Sequence, residues 1–346
     1  MKILVTGGAG YIGSHTCIEL LEYGHQLVVL DNLSNSKLDC LISVSKLTNI
    51  YLDINNFTES NFAFFEGDIS DNNILTKIFS TFKIQGVIHF AGLKDIGESI
   101  KNPKKYYKNN VAGTIVLIEI MKKYNCKNFV FSSSAAIYGE PHTLPIKENF
   151  PYKPFNPYAQ SKLEVENLLR DLYKSDNNWH IVLLRYFNPI GAHESGLIGE
   201  NPKGIPNNLV PYISQVAMGK LKKLNIFGND YNTPDGTAVR DYIHVVDLAK
   251  SHIKALLAFS GRGQILAFNI GTGVGYSVLE IVKTFEKVSN KKIPYRIKAR
   301  RPGDVVENYA DSTLASDKLG WKAEKNLEKM CFDTWNFQKR QEKNSE

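Results

Sequence analysis

Hydrophobic and polar residues alternate along the first 185 positions in blocks that predict strands followed by helices. Short apolar runs rich in β-branched residues predict strands at 2–6, 26–31, 62–65, 87–90, 129–132 and 181–185. Helical spacing predicts a helix ending near residue 23 and others over 37–47, 72–82, 103–124 and 158–174. This alternation predicts an α/β fold with a doubly wound parallel sheet, in which ligands bind beyond the carboxyl ends of the strands.

The rhythm changes after Asn188, where Pro, Gly and Asn become frequent. Leu209, Tyr212 and Val216 have helical spacing, and an asparagine before them could cap the helix. The segments 240–257 and 267–270 are predicted to return to the main sheet. We therefore expect one domain over 1–188 with about 240–270, and a smaller C-terminal substrate domain over 189–239 and 271–346.

Two further segments contain no catalytic pattern. Residues 32–61 are rich in Asn, Ser and Thr and are interpreted mostly as surface. Gly271–Gly275 is a second glycine cluster, but Ser277 and Glu280 beside it form a capping box. The cluster is therefore interpreted as a strand-to-helix turn that binds no nucleotide.

The first thirty-one residues indicate a dinucleotide site. Glycines 7, 10 and 13 follow the first strand, and Asp31 ends the second strand, eighteen residues beyond Gly13. Such glycines allow a tight turn, a close approach to a pyrophosphate and packing of the helix on the strand. A carboxylate at Asp31 accepts hydrogen bonds from ribose and repels a 2′-phosphate. The pattern therefore predicts a Rossmann-type unit that binds NAD in preference to NADP.

Composition narrows the class of protein. With 346 residues and 43% hydrophobic positions, the chain can form a dinucleotide fold with a smaller companion. Its net charge of +7 includes six Lys or Arg between Lys291 and Arg301. This run is either a solvated face or an attraction for an anionic ligand, such as nucleotide phosphates or a nucleic acid. No aromatic-basic stripe accompanies it, so we expect no nucleic-acid partner.

The cysteines and the chain start suggest a compartment. Four scattered cysteines contain no Cys-x-x-Cys pair, so neither a disulfide framework nor a zinc site is expected. Met1 leads directly into the first strand, and no apolar run approaches the ~18 residues of a membrane span. We expect a soluble cytoplasmic protein with no signal peptide, no metal and no membrane contact.

A tyrosine and a lysine stand four residues apart at the start of a predicted helix. Among the seventeen tyrosines only Tyr158 has a lysine, Lys162, at this spacing, and the two share one helix face. A nearby ammonium and the positive nicotinamide both favour the phenolate, which makes Tyr158 a candidate general base. Ser134, at the end of a strand, could hydrogen-bond the same substrate hydroxyl. A lone Tyr-x-x-x-Lys is usually only surface helix, but the NAD-type unit before it favours catalysis.

Several motifs together resemble one family. They are Gly7–Gly13, Phe90–Lys94, Ser132–Ala135, Tyr158–Lys162, Arg185–Pro189, Gly204–Leu209, Arg240–His244 and Arg300–Asp304. The set resembles the UDP-glucose 4-epimerase family of extended short-chain dehydrogenases, from Met1 to about Trp335. The resemblance implies that Tyr158 and NAD oxidise C4 of a UDP-hexose, the 4-keto sugar turns, and the hydride returns to its other face. It also implies a homodimer.

The resemblance assigns roles residue by residue. NAD is expected to contact Gly7, Gly10, Tyr11, Ile12, Gly13, Asp31, Asn32, Asn35, Ser36, Asp68, Ile69, Phe90, Ala91, Gly92, Lys94, Asn109, Ser134, Tyr158, Lys162 and Phe187. The UDP-hexose is expected to contact Ser134, Tyr158, Asn188, Asn208, Phe227, Arg240, Arg301, Asp304 and Asn308. Phe227 would stack on uracil, the two arginines would clamp the diphosphate, and Asp304 would take the ribose. Ala159-Gln160 replaces the family's frequent Gly-Lys inside the Tyr-x-x-x-Lys motif.

Three alternatives remain. A 4,6-dehydratase shares the cofactor domain, but it needs an acid beside the strand-end hydroxyl, where this chain has Ala135 and Ala136. Another NAD-dependent nucleotide-sugar epimerase and a non-catalytic NAD-binding protein are the other two. Substrate range is open, because Asn308 stands where family members with a large tyrosine exclude N-acetylhexosamines.

Overall fold

The computed structural model describes residues 1–202, 204–258, 263–301 and 303–343. The chain divides into two compact units. The first comprises Met1–Tyr138, Tyr152–Arg185 and Ala249–Phe268, and the second comprises Gly139–Pro151, Tyr186–Leu248 and Asn269–Glu346. Pro302 of the Arg300–Asp304 motif and the last three positions of the predicted second domain lie outside the described residues.

The strands and helices follow in chain order. The strands are β1 (Lys2–Thr6), β2 (Gln26–Asp31), β3 (Asp53–Ile54), β4 (Phe62–Glu66), β5 (Gly86–His89), β6 (Asn128–Ser134), β7 (His180–Tyr186), β8 (Asn188–Ile190), β9 (Leu224–Phe227), β10 (Val239–His244), β11 (Gln264–Ile270), β12 (Gly275–Ser277), β13 (Tyr295–Lys298) and β14 (Glu307–Asn308). The α-helices are α1 (Tyr11–Glu22), α2 (Asp39–Thr48), α3 (Asn72–Phe82), α4 (Ile96–Lys101), α5 (Pro103–Tyr106), α6 (Gly113–Lys123), α7 (Pro157–Ser175), α8 (Leu209–Ala217), α9 (Val245–Leu257), α10 (Val278–Ser289), α11 (Thr313–Leu319) and α12 (Leu327–Lys343). A π-helix covers Tyr107–Ala112 and a 3-10 helix covers Ala135–Tyr138.

The main sheet has eight strands in the order β11-β7-β6-β5-β1-β2-β4-β3. The pairs β1/β2, β1/β5, β2/β4, β3/β4 and β5/β6 are parallel. The strands β2, β3 and β4 lie on one side of β1, and the chain then crosses to the other side of β1, where β5, β6, β7 and β11 follow. The predicted doubly wound sheet is confirmed, and its reversal of strand order lies between β1 and β5, where such sheets bind ligands.

The core of the first unit explains why its strands read as continuous apolar runs. All five residues of β1 are buried, because helices cover both faces of a parallel sheet. Leu4 and Val28 of the strands pack in one cluster with Phe79, Leu117 and Val165 of the helices.

The predicted helix over 103–124 is interrupted by the π-helix between α5 and α6. The Thr114 hydroxyl donates to the Asn110 carbonyl at 2.6 Å, and the Asn110 side chain is held by Leu93 and Ser161. Such tertiary bonds favour a widened turn that a helical period does not reveal. Helix α4 was not predicted from the sequence, although Asp95 caps it and Glu98 follows three residues later.

The second unit contains a four-stranded sheet around β10 and a separate two-stranded sheet. β10 pairs with β12, β14 and β8, and β13 pairs with β9. Its core includes Ile213, Ile281, Phe285 and Met330. The prediction that the segment from 240 returns to the main sheet is therefore wrong for β10, whereas β11 does join that sheet. Both strands contain several apolar residues in the sequence, so the pattern alone does not say which sheet a strand joins. The second unit includes 139–151 and 240–248, which the sequence had assigned to the first domain.

The cysteines carry free thiols. Cys17 is buried in α1, and burial raises the pKa of its thiol. Within the described ranges, no helix combines the length and the apolar character that a bilayer crossing requires.

Candidate active site

The turn after β1 has a shape that requires glycine. Gly7 has a φ of +71°, and a Cβ there would lie 2.6 Å from the Ala91 nitrogen. The Gly10 N–H donates to the Gly7 carbonyl at 3.2 Å, and a Cβ at Gly13 would overlap the same carbonyl. The N-cap of α1 is Gly10, so no side chain caps this helix end. The backbone of the first turn, at Tyr11 and Ile12, can therefore face an anion.

Asp31 is held in a fixed orientation at the end of β2. Its Oδ2 accepts from the Ala9 N–H at 3.0 Å, and its Oδ1 accepts from Leu33 N at 2.9 Å and Ser36 Oγ at 2.8 Å. Three of about four lone-pair sites of the carboxylate are thus used, which leaves room for one further donor such as a ribose hydroxyl. Of the other two residues predicted to contact the cofactor here, Ser36 donates its hydroxyl to Asp31, and Asn35 is exposed.

The end of β4 is tied to the end of β2. Asn32 Nδ2 donates to Asp68 Oδ2 at 2.7 Å, and the Ser70 N–H and hydroxyl donate to Oδ1. Burial by itself raises the pKa of Asp68, but the bonds from Ser70 and Asn32 outweigh it, so the net pKa is lowered. Ile69 is buried and packs on Gly113, where a Cβ would lie 2.7 Å from its Cδ1.

The loop after β5 lies beside Lys162. Phe90 packs on the ring of His252 with centroids 4.8 Å apart. A Cβ at Gly92 would lie 3.6 Å from Lys162 Nζ. Lys94 is exposed and Asn109 is half-buried in the π-helix.

Asn110, the neighbour of Asn109, was missed by the sequence analysis. It is 3% exposed, its Oδ1 accepts from Leu93 N at 2.7 Å, and its Nδ2 donates to Ser161 Oγ at 2.9 Å. Asn110 therefore connects the β5 loop to α7. An asparagine pair inside a helical pattern was the only signal for it.

Tyr158, Lys162 and Ser134 are brought together. Asn156 caps α7 by accepting from the Ala159 N–H at 2.9 Å, which sets Tyr158 in the first turn. The Ser134 hydroxyl lies close enough to the Tyr158 phenol to lower its pKa. Lys162 Nζ donates to the Ser132 carbonyl at 2.7 Å in a buried setting.

The electrostatics of this group differ from the expectation in one respect. Burial raises the pKa of Tyr158, and the Ser134 hydroxyl offsets this only in part. Burial is therefore the largest influence on this pKa, and the Lys162 ammonium, from which the lowering was predicted, donates a hydrogen bond to the Ser132 carbonyl. Burial also lowers the pKa of Lys162 to about 8, so its charge is retained at neutral pH.

His89 is a second residue that sequence reasoning missed. Its Nδ1 lies 2.6 Å from Thr6 Oγ1 and its Nε2 lies 2.9 Å from Thr114 Oγ1. Burial, with the positive charge of Lys162, lowers its pKa to about 3. His89 is therefore neutral and links β1 to α6 beneath the turn.

In the second unit, the predicted substrate residues form two pairs. Arg240 Nη2 lies 2.5 Å from Asp304 Oδ1, and the Arg301 guanidinium lies 3.8 Å from the centroid of the Phe227 ring. Arg240 and Asn308 are partners in the β10/β14 register. The arginine charges are thus in contact with groups of the same predicted site.

The other predicted residues of the second unit are more dispersed. Asn188 Nδ2 donates to the Asp241 carbonyl at 3.1 Å, and Phe187 is buried. Asn208 is the N-cap residue of α8, but its side chain donates to Glu200 and not to the helix end. An asparagine therefore occupies the N-cap position as expected, but its side chain does not cap the helix.

Asp241 was also missed. Its fully buried carboxylate accepts from the Thr272 N–H and hydroxyl, from Gly273 N and from Ala310 N, at 2.7–3.1 Å. It thereby organises the Gly271–Gly275 turn and the chain just after Asn308. Its signal was the Arg-Asp-Tyr-Ile-His run, in which only the arginine received a role.

Comparisons with known proteins place the chain among relatives. A family profile described as GDP-mannose 4,6 dehydratase matches residues 4–334. A UDP-glucose 4-epimerase of Bacillus subtilis is 56% identical over 338 residues, which cover 98% of this chain and 97% of that protein. The structure of a UDP-glucose 4-epimerase from Stenotrophomonas maltophila, with bound NAD and formylated UDP-arabinopyranose, aligns with a TM-score of 0.94 at 43% identity over 99% of both chains. Another from Bifidobacterium longum, in complex with NAD+ and UDP, aligns with a TM-score of 0.92 at 49% identity over 98% of both chains.

The parallel sheet, the glycine turn and the Ser134–Tyr158–Lys162 group define an NAD-dependent enzyme of the extended short-chain dehydrogenase class. Within that class, the chain belongs to the UDP-glucose 4-epimerase family, whose members are isomerases. The resemblance recognised in the sequence is thus confirmed, as is NAD as the cofactor.

Proposed function

We propose that the chain interconverts UDP-glucose and UDP-galactose, with Tyr158, Lys162 and Ser134 handling the proton at C4. The observation that carries this assignment is the Lys162 ammonium fixed on the Ser132 carbonyl at 2.7 Å, one helix turn from Tyr158, with the Ser134 hydroxyl close to the phenol. In this arrangement one oxygen can take a proton while a neighbouring hydroxyl shares it.

The residues of the first unit fit NAD. A turn into which no Cβ could be placed at Gly7 or Gly13 leaves backbone N–H groups accessible to a pyrophosphate, and Asp31 retains capacity for one ribose donor. We assign cofactor binding to the residues that the resemblance named, from Gly7 to Phe187. When bound, NAD supplies the hydride acceptor and donor at C4.

Tyr158 removes the proton of the sugar 4-hydroxyl and returns it after the 4-keto sugar has turned. Ser134 holds the same oxygen. Lys162 keeps a positive charge near neutral pH and so supports the phenolate, against the burial that raises the pKa of Tyr158.

The residues of the second unit supply groups for UDP. Arg240 and Arg301 carry guanidinium groups that match phosphate oxygens, and Phe227 offers a ring face for uracil. Ligand binding would replace the Arg240–Asp304 contact with contacts to phosphate and ribose, so Arg240 stays paired with a negative charge and Asp304 stays hydrogen-bonded with or without ligand. Asn188 and Asn208 complete this assignment.

A dehydratase is disfavoured, although the matching family profile is described by that name. Elimination requires an acid next to the strand-end hydroxyl. The residues after Ser134 are Ala135, which is buried, and Ala136. Neither can protonate a leaving hydroxyl.

Asn308 extends the proposal to N-acetylhexosamines. It is half-buried and lies opposite Arg240 in the β10/β14 register. An amide of this size leaves space that a tyrosine would fill, and it can hydrogen-bond an acetamido group. The ring of the next residue, Tyr309, lies against Gly275, where a Cβ would be 3.1 Å from Tyr309 Cδ1. This packing supports Asn308 as the residue that faces the sugar.

A homodimer in the cytoplasm completes the proposal. Ile115 of α6 is 42% exposed and lines a groove with Ile118, Leu168 and Leu172 of α6 and α7. A second copy would cover the apolar side chains of this groove, which Glu119, Lys122 and Asp171 also line, and the free thiols fit a reducing compartment. Light scattering should give a dimer mass, and Ile115→Glu should lower it to a monomer. Ile100→Glu on α4 is the matched control, because Ile100 is exposed outside the groove.

The decisive experiment is incubation of the purified protein with UDP-galactose without added NAD, followed by chromatography of the sugar nucleotides. We expect UDP-glucose, because the hydride returns in each cycle and the cofactor stays bound. Acid extraction should also release a nicotinamide nucleotide. A 4-keto-6-deoxy product would instead identify a dehydratase, and no product from protein that contains NAD would refute the proposal.

A further inference from the structure

A buried ion pair lies behind the strand end that carries Ser134. Glu166 belongs to α7 and Arg185 belongs to β7, and both side chains are fully buried. Arg185 Nη2 lies 2.6 Å from Glu166 Oε2, and Arg185 Nε donates to Oε1 at 2.9 Å. Two parallel bonds of this kind fix the orientation of both groups.

Glu166 continues the helix face that carries the proposed catalytic pair. Tyr158, Lys162 and Glu166 follow at intervals of four residues along α7, so all three face the same side. Glu166 Oε1 also accepts from the Ser133 hydroxyl at 2.6 Å.

Three consecutive serines at the end of β6 thus meet these three helix residues. The Ser132 carbonyl accepts from Lys162, the Ser133 hydroxyl donates to Glu166, and the Ser134 hydroxyl lies near the Tyr158 phenol. The middle contact therefore holds the strand segment whose two ends touch the lysine and the tyrosine.

The other side of the ion pair is also fully bonded. Arg185 Nη1 donates to the Tyr138 hydroxyl at 2.7 Å, and Nη2 donates to the Tyr152 hydroxyl at 2.8 Å. Tyr138 ends the 3-10 helix that begins directly after Ser134. Apart from Tyr152, which is exposed, this network is buried, and a buried network whose polar groups are bonded rigidifies the segments that it joins.

Stability alone is a weak reason for such a pair, because the desolvation of two charges offsets much of their attraction. We propose that Glu166 and Arg185 are positioning residues, which act through Ser133 to hold the end of β6 so that the Lys162 ammonium and the Ser134 hydroxyl keep their places. This inference rests on the proposed function, since it assigns a task in the same proton transfer.

The first test is Ser133→Ala, which removes the link and leaves both charges paired. We expect kcat to fall about fivefold, as for the loss of one hydrogen bond, with an unchanged KM for UDP-galactose. The Ser132 carbonyl would hold the ammonium less well, so the alkaline limb of the kcat profile should move to lower pH.

Ser289→Ala is the matched control. Ser289 is also buried and donates to a carbonyl at 2.6 Å, but it lies at the end of α10 in the second unit. It should lower the melting temperature by a similar amount without moving the alkaline limb. A Ser133→Ala enzyme with the wild-type kcat and pH profile would overturn the proposal.

The second test removes both charges together. Glu166→Gln combined with Arg185→Met avoids leaving one buried charge unpaired. We expect a folded protein that retains NAD but shows lowered kcat and the same shift of the alkaline limb. A wild-type pH profile in this double variant would contradict the positioning role.

The outcome is separable from that of the proposed function. If the wild-type protein converts UDP-galactose and neither variant shifts the profile, only the positioning role is wrong. If the wild-type protein with bound NAD has no epimerase activity, the proposed function itself fails.

Discussion

The Ser134–Tyr158–Lys162 group of the first unit and the Arg240–Asp304 pair of the second hold their charges in different ways. Lys162 is 5% exposed and bonded to a backbone carbonyl. The side chains of Arg240 and Asp304 are 17% and 31% exposed and are bonded to each other. Groups that move a proton need a fixed, dry setting, whereas groups that receive a charged ligand need partners that the ligand can replace.

Two buried carboxylates extend this contrast. Glu166 is balanced by the charge of Arg185, and the net effect of the pair is to raise the pKa of that guanidinium. Asp241 is held by neutral donors alone, and burial outweighs them, so its pKa is raised. Glu166 is thus paired with an opposite charge, whereas Asp241 is held by backbone and hydroxyl donors.

The largest expected effect separates chemistry from binding. Tyr158→Phe removes the proposed base but keeps the ring, so kcat should fall by at least ~10²-fold while UDP affinity stays unchanged. Steady-state kinetics and calorimetric titration with UDP measure both. Tyr173→Phe, on the same helix with its hydroxyl on a backbone carbonyl, should be near wild type. Near-normal turnover by Tyr158→Phe would show that the base is another group.

A change in the wall of the sugar pocket should alter selectivity. The unmutated enzyme should convert UDP-N-acetylglucosamine more slowly than UDP-glucose, and Asn308→Tyr should abolish the first activity while sparing the second. We expect the ratio of the two kcat/KM values to change by roughly 10²-fold, which is the scale of a steric mismatch in a pocket. Equal losses on both sugars, or no N-acetyl turnover before mutation, would exclude Asn308 as the determinant.

Removal of a replaceable charge should weaken binding without slowing chemistry. Arg240→Ala should raise the Kd for UDP by about 30-fold, the scale of a charged hydrogen bond of ~2 kcal/mol, with little change in kcat. Arg300→Ala is the control, since Arg300 is exposed and pairs with Asp230. A large fall in kcat with an unchanged Kd would place Arg240 on the chemical side of the comparison.

The buried carboxylate of the second unit can be tested through stability. Asp241→Asn turns an amide toward backbone donors and should lower the free energy of unfolding by ~1–3 kcal/mol at pH 7. Because the folded pKa of Asp241 is raised, the folded state binds the proton more tightly. The wild-type advantage should therefore grow as the pH falls toward about 4. Urea unfolding at several pH values measures this, and an advantage that shrinks toward acid pH would contradict the assignment.

The smallest effect at neutral pH concerns Lys162. Burial lowers its pKa to about 8, so the energetic penalty of its buried charge is fully present below that pH and is relieved as the proton leaves above it. Stability should therefore gain above about pH 8, whereas activity should decline there, because the neutral amine no longer supports the phenolate. The activity of Lys162→Met should no longer show this decline above about pH 8, and ultraviolet titration should show a raised apparent pKa for Tyr158. Lys174→Met, on the exposed part of α7, should retain the decline.

Much of the first unit follows from local pattern. The strands from β1 to β7 that form the main sheet were predicted except for the short β3, because buried parallel strands read as apolar runs and helices follow a period. The π-helix was not predictable, because it depends on hydrogen bonds from Asn110 to Leu93 and Ser161, which are 17 and 51 positions away in the chain.

The candidate site divides in the same manner. Gly7, Gly10, Gly13 and Asp31 are near one another in the chain, and Tyr158 and Lys162 share one helix turn, so spacing alone indicated their chemistry. His89, Asp241 and the Glu166–Arg185 pair gave no such signal. Their meaning depends on partners that only folding brings into contact.

The sequence by itself determined most of the alternating strands and helices of the first unit, the glycine turn, the acidic residue after it and the Tyr-Lys pair. These features rest on periodicity and on bonds between residues close in the chain. Only the tertiary structure decided that β10 joins the four-stranded sheet, that Arg240 pairs with Asp304 over 64 positions, and that burial raises the pKa of Tyr158. Desolvation and charge pairing depend on which segments meet in space, and a local pattern does not contain that information.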